Sequence, residues 1–424
     1  MTRHRGWLAL WTIALCLFAG VAAGASQPPP LNDPSDTTLW PNKTSFANSD
    51  PWIAQNHDRI RQMRPRLLVL NFSNQTPMEK VQQMTEALIA ALAESSRYHG
   101  YKDKRAPVFL QYQVFKYVDL RDPGQTKNNS SKSPLKRNVA PPDMNCDYSA
   151  FFNDTFARYY GVRDPDNPAR FLRLDELVDR GYVHEVWFFA AATGDLRCFE
   201  CIEMKPVYDA QFRQVPGQFR SAGNGEDPDR KWTGRSLRIN NLNPDRGIGC
   251  AMENLGHCLE GMANSGVIPY YTKYFNEFAG LDLDKRYGLP FKSFYELEYG
   301  KDVITYPDDH TAIVTYQGKP YRLENYRVLG GNVHFPPNAR RDYDLSNEKP
   351  VLCCIEDWRI GSGPGHQDIY QDWTNAAFAP YRTLAPDCMG PWLVYWRQNM
   401  PGLHNRQKDD NGKPMKNWWP FLFY

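Results

Sequence analysis

Hydrophobic positions along the chain switch between strand-like runs and helical spacing. Leu67 to Phe72 is a short, β-rich apolar run ahead of a polar turn, which predicts a buried strand. In MEKVQQMTEALIAALAESS, residues Val81, Met84, Leu88, Ile89 and Leu92 recur at helical spacing and mark one apolar face. VFLQYQVFKYVDL, residues 108–120, then predicts a second strand. A second unit follows, with a helix over Phe171–Arg180, Gly181 as its stop, and a buried strand over Val183–Ala190. Strand, helix and strand in this order signal a parallel βαβ arrangement. The expected fold is therefore α/β: a mostly parallel sheet with flanking helices and large loop insertions. One insertion is residues 123–145; a Gly-, Asp- and Arg-rich stretch at 214–235 also reads as loop. TAIVTYQGKPYRLENY adds a small β-hairpin turning at Gln317-Gly318.

The N-terminus divides differently. Arg3 and Arg5 precede the apolar run WLALWTIALCLFA, and Ala23-Gly24-Ala25 supplies the small residues signal peptidase accepts. Residues 1–25 are read as a secretory signal, with an uncleaved anchor as the alternative. Residues 26–50 are rich in Pro, Ser and Asp and read as a linker or surface arm, leaving 51–424 as one elaborated α/β domain. No later segment is long and apolar enough to span a membrane, so a secreted, periplasmic or extracellular location is expected. The 50 Lys and Arg nearly balance the 48 Asp and Glu, which argues against nucleic acid as a partner. An extracellular polymer or a small-molecule substrate remains.

Eight cysteines follow the signal segment: Cys146, Cys198, Cys201, Cys250, Cys258, Cys353, Cys354 and Cys388. In an exported chain an even number favours disulfides, with pairing left open. Adjacent Cys353 and Cys354 predict bridges to different partners, because neighbouring residues reach disulfide geometry poorly. Cys198-x-x-Cys201 has no second pair to complete a zinc ribbon.

Candidate chemistry concentrates in NPDRGIGCAMENLGHCLEGMANSG. Asn243 is the expected cap and Gly266 the expected stop. At about 100° per residue, Glu253, His257 and Glu260 fall within roughly 60° of one another on a single face. Two carboxylates and an imidazole can bind a divalent cation or act as an acid/base pair; the alternative is a structural polar cluster. Gly247, Gly249, Gly256 and Gly261 suggest close packing around those side chains, since an exposed helix gains nothing from glycine. His334 lies between glycines and prolines in GGNVHFPPNARRDYD, near Asn338, Arg341, Asp342 and Asp344, which serve either a ligand or the turn itself. Glu200 and Glu203 follow the third strand, where ligands approach a parallel sheet. Trp358 and Trp373 are core residues or a glycan platform. GxSxG, a Gly-rich phosphate loop and a complete HExxH are absent from the sequence.

Several segments occur in an order that resembles a family of uncharacterised exported bacterial proteins. They are HEVW at 184–187, FEC at 199–201, NPDRGIG at 243–249, ENLGHCLE at 253–260, GNVHFPPNA at 331–339, DYD at 342–344 and EDW at 356–358. The family pattern has DEVW, an ES-type turn, NYERGVG, HSxGHRxE, GNVHFPxN, DYD and DW. Glu253 stands where that pattern has its first His, which would shift a metal site toward harder cations or mark a copy lacking the family's activity. The expectation is an exported metal-dependent hydrolase acting on peptide or glycan polymer. Zinc, manganese or calcium would be held by His257, Glu260, Glu253 and His334, with Glu253, His257 and Glu200 as catalytic groups. A glycan-binding or envelope structural protein is the alternative.

Overall fold

The computed structural model describes residues 31–45, 49–192, 195–227, 233–361 and 367–424. The expected signal segment, 1–25, lies outside the described residues. A central sheet contains β1 (Arg66–Asn71), β2 (Gln113–Asp119), β3 (Glu185–Phe189), β4 (Cys201–Tyr208), β5 (Gln214–Ser221) and β6 (Leu237–Leu242). Its order is β2-β1-β3-β6-β4-β5. The first four strands run parallel, with Val69 opposite Trp187 and Trp187 opposite Asn240. β4 then pairs antiparallel with both β6 and β5.

The architecture is thus α/β with a mixed sheet, and the expectation of a mostly parallel one is corrected. Part of the stretch expected to be loop, 214–235, is the edge strand β5. Most of β5 is exposed, and it contains Pro216 and Gly217, so no buried face imposes an apolar alternation on its sequence.

Layers cover both sheet faces. Leu67, Val69, Trp187 and Phe189 join a core with α1 (Met78–Ser95), α2 (Ile248–Ser265), α3 (Pro269–Ala279) and α4 (Gly390–Asn399). Leu68, Leu70, Val186 and Phe188 face a second core built from Phe151, Phe156 and Leu177. Burial of each such side chain is worth roughly 1.5–3 kcal/mol. Residues expected to form an arm are in part packed: Trp40 is buried, with its ring 4.5 Å from that of His184.

The predicted hairpin is present as β7 (Ala312–Tyr316) and β8 (Lys319–Leu323). Its turn places Gln317 and Gly318 at positive φ, the conformation two-residue hairpins favour. Trp358 and Trp373 are buried, with indole N–H groups bonded to Glu277 and the Tyr395 hydroxyl. They are core residues, and the exposed aromatic platform is corrected.

Among the described residues one disulfide is formed, Cys250–Cys388. Cys146, Cys198, Cys201, Cys258, Cys353 and Cys354 are thiols. The two bridges expected from Cys353 and Cys354 are not formed; both side chains are buried, with their sulfurs near the Leu329 carbonyl.

Candidate metal centre

α2 begins at Ile248, a turn later than its sequence suggests, because Asn243 caps the preceding turn through Asp245. Asp387 instead satisfies the helix start, its Oδ1 accepting from Gly249 N at 2.7 Å. Gly266 ends the helix at φ +67°. Three of the helix glycines are sites of close approach. A Cβ on Gly249 would lie 1.7 Å from Asp387 O, one on Gly256 would lie 2.8 Å from Val333 Cγ2, and one on Gly261 2.5 Å from Gly223 O. The Gly256 contact matters most for the site, since it lets the loop carrying His334 lie against the helix. Arg397 of α4 anchors the same turn, its Nη2 donating to Met252 O at 2.6 Å.

This packing brings Glu253 and His257 of α2 to His334. The two imidazole Nε2 atoms are 3.0 Å apart. Glu253 Oε1 is 3.4 Å from His334 Nε2 and 4.0 Å from His257 Nε2. Metal–ligand bonds of about 2.0–2.2 Å place neighbouring donor atoms about 3.0–3.5 Å apart in tetrahedral or octahedral geometry. Two sides of the triangle meet that spacing, and the third, from Glu253 Oε1 to His257 Nε2, is longer at 4.0 Å and would have to shorten around an ion. Both imidazoles turn their other nitrogen to a carboxylate: His257 Nδ1 is 2.9 Å from Glu260 Oε2, and His334 Nδ1 is 2.9 Å from Asp342 Oδ1. When an imidazole is neutral, a carboxylate in that position favours the proton on Nδ1 and leaves the Nε2 lone pair facing inward; the contact is a hydrogen bond at His257 and an ion-pair distance at His334. Two inward lone pairs and a carboxylate oxygen repel one another unless a proton or cation lies between them. Glu253 Oε2 is buried without a hydrogen-bond partner, a further acceptor unsatisfied by the protein.

Glu260 therefore has a different place from the ligand position expected of it. Its Oε1 accepts from the Tyr295 hydroxyl at 2.8 Å and from Val333 N at 3.1 Å, while Oε2 holds His257. Both oxygens are engaged, and Glu260 orients the imidazole. Glu200 is half-buried; its Oε2 accepts from Asn224 Nδ2 at 2.6 Å, and its charge reaches His257 and Tyr343. Asn338 and Asp344 perform the turn chemistry instead, bonding Asn347 and Ser346. Glu203 is buried in β4 in an ion pair with Arg238.

Asp342, Tyr343 and Tyr295 complete the surroundings, and of these only Asp342 stood out as polar loop chemistry. Tyr343 adopts φ +57°, unusual for a bulky residue. That conformation lays its ring 4.2 Å from the His334 ring and lets its hydroxyl donate to Glu253 Oε1. Tyr295 packs edge-on at 5.2 Å. Both tyrosines are partly exposed, and the two histidines retain a small solvent-facing edge. Tyr343 is the central residue of the DYD segment, a motif that assigns no role to its ring; nothing in the local sequence announces Tyr295.

Electrostatics favour a cation here. Burial works against charge on His334, but Asp342 and Glu253 outweigh it and hold its pKa up at about 9. Burial likewise opposes the charged form of His257, and Glu260 reverses the balance so that its pKa is raised. Burial favours neutral Glu253, yet hydrogen bonds from His334 and Tyr343 keep its pKa lowered. Burial together with Glu253 raises the Tyr343 pKa, so its phenol stays protonated at neutral pH.

A cavity of about 780 Å³ lined by His57, Phe212, Tyr270, Asn405 and Lys416 lies elsewhere and includes none of these groups. Among the described residues no helix is long and apolar enough to cross a membrane. No family model matches the chain, and no curated protein or solved structure matches it.

Proposed function

We propose that the protein is an exported metal-dependent hydrolase acting on peptide or glycan polymer, with a divalent ion held by Glu253, His257 and His334. The observation that carries this reading is the convergence of two Nε2 atoms and one carboxylate oxygen, separated by 3.0, 3.4 and 4.0 Å, with each imidazole backed by a carboxylate. Two histidines and a glutamate form the protein side of many catalytic zinc centres, which keep a further position open. Zinc or manganese suits the imidazoles better than calcium, which takes oxygen ligands. A bound ion supplies a water of lowered pKa and polarises the scissile carbonyl or acetal oxygen.

The chain's own groups have separable roles. Glu260 and Asp342 hold the imidazoles in the ligating tautomer. Glu200, whose charge reaches His257 and Tyr343 and whose Oε1 is not held by Asn224, is the carboxylate left to serve as base for an attacking water. Tyr343, protonated and donating to Glu253 Oε1, fixes the direction of that carboxylate and adds a partly exposed wall beside His334. The signal-like residues 1–25 and the Cys250–Cys388 disulfide support export.

Metal content of the chain after exposure to zinc or manganese tests the reading directly. About one equivalent bound, and lost in His257→Ala and Glu253→Gln, is expected; no bound metal in the folded parent protein refutes it. Peptide and glycan polymers are then assayed with metal-loaded protein and with chelator, and hydrolysis that survives in His257→Ala would remove this centre from the chemistry.

A further inference from the structure

Glu253 belongs to a second group of potential ligands. A carboxylate oxygen of Glu253 and the sulfurs of Cys250 and Cys388 all lie within 4.8 Å of one another. Cys250 and Cys388 are joined as a disulfide, with Cα atoms 5.2 Å apart. The segments bearing them are also held together without it. Asp387 Oδ1 accepts from Gly249 N at 2.7 Å, and Gly249 and Gly390 meet so closely that a Cβ on Gly390 would lie 2.7 Å from Gly249 Cα. Reduction would therefore leave two thiols facing each other beside a buried carboxylate whose Oε2 has no partner.

We propose that Cys250, Cys388 and Glu253 form a redox-gated cation site, closed by the disulfide and opened by reduction to a soft divalent ion of the zinc class. Two thiolates and a carboxylate, with water as the fourth ligand, match a tetrahedral zinc-type ion. The reductant is a dithiol. Its thiolate attacks the Cys388 sulfur, the more exposed of the pair, and the S–S bond breaks with Cys250 as the leaving thiolate. The second thiol of the reductant then displaces Cys388 and closes the reductant's own disulfide. Two electrons thereby pass from the dithiol to the two protein sulfurs, and both leave as thiols once protonated; each gives up its proton to solvent when the cation binds. Local electrostatics assist this direction: Cys250 lies in the first turn of α2, at the positive end of an 18-residue helix. The Arg246 guanidinium donates to Cys388 Sγ at 3.6 Å. Because Glu253 is common to both donor sets, filling this site is felt at the histidine centre. The site uses Glu253 but does not depend on hydrolysis or on an ion at His257 and His334.

Cobalt(II) added to the full chain provides the test, before and after reduction with a phosphine, which competes little for the metal. Alkylation mass mapping confirms that Cys250 and Cys388 are free. The expected result is one additional cobalt equivalent and a thiolate-to-cobalt charge-transfer band in the reduced protein. The band should be absent from the oxidised protein, lost in reduced Cys250→Ser/Cys388→Ser and in reduced Cys388→Ser alone, and retained in reduced His257→Ala. A reduced, folded parent chain without the band overturns the proposal, as does a band that persists in the double serine variant. A band retained in His257→Ala while that variant loses its oxidised-state metal separates this site from the histidine centre; loss of the band in folded His257→Ala also overturns it.

Discussion

Replacing Glu260 by Gln isolates the imidazole-orienting role from direct ligation. Three donors meet its carboxylate: His257 Nδ1 at 2.9 Å, the Tyr295 hydroxyl at 2.8 Å and Val333 N at 3.1 Å. The last two share Oε1, so a glutamine oxygen that keeps both of them turns its NH₂ toward His257. Two N–H groups would then oppose each other, and the imidazole relieves the conflict by moving its proton to Nε2. That proton occupies the lone pair that faces His334 and Glu253. Loss of such a backing carboxylate weakens metal binding about 10- to 100-fold, or roughly 1.4–2.7 kcal/mol. Zinc titration by calorimetry at pH 8, with melting followed by circular dichroism, measures the effect separately from folding. An affinity unchanged in a folded Glu260→Gln variant would refute the orienting role and the ligand geometry together.

Two further perturbations address the proton balance and the packing. The pKa of His334 is raised from 6.5 to about 9, so its contribution to stability is complete below about pH 6.5 and lost as pH rises through 9. Tm of metal-free protein should therefore fall between those values while zinc affinity rises, and His334→Ala should flatten both profiles; a Tm profile identical in parent and variant contradicts this. Gly249→Ala places a Cβ 1.7 Å from the Asp387 carbonyl oxygen, and the backbone shift required should cost about 1–3 kcal/mol, read as a lower urea midpoint. An unchanged midpoint would show that α2 and the Asp387 segment do not pack as closely as described.

Elements whose side chains carry a complete period were legible before the fold was seen. α1 shows Val81, Leu88 and Leu92 buried on the expected face, and Gln317-Gly318 makes the expected turn. Glu253, His257 and Glu260 share a helix face for the same reason, since the 3.6-residue repeat is local geometry. The helix glycines likewise announced close neighbours, though not which ones. By contrast, β5 left no period because solvent touches most of it, and the buried Trp358 and Trp373 could not be told from an exposed platform by residue type.

Ligand convergence was decided in three dimensions. His334 lies 77 residues from His257, and its Nε2 comes within 3.0 Å only because Gly256 lets the loop approach α2. Which carboxylate faces an ion and which backs an imidazole depends on side-chain direction, so Glu260 and Glu253, alike in sequence, take different places. The pairing of Cys250 with Cys388, separated by 138 residues, was one of many combinations until Asp387 was seen to cap α2. Local periodicity determines the elements and the face a side chain shares. Long-range packing decides which faces meet, because contacts between distant residues carry no fixed spacing along the chain.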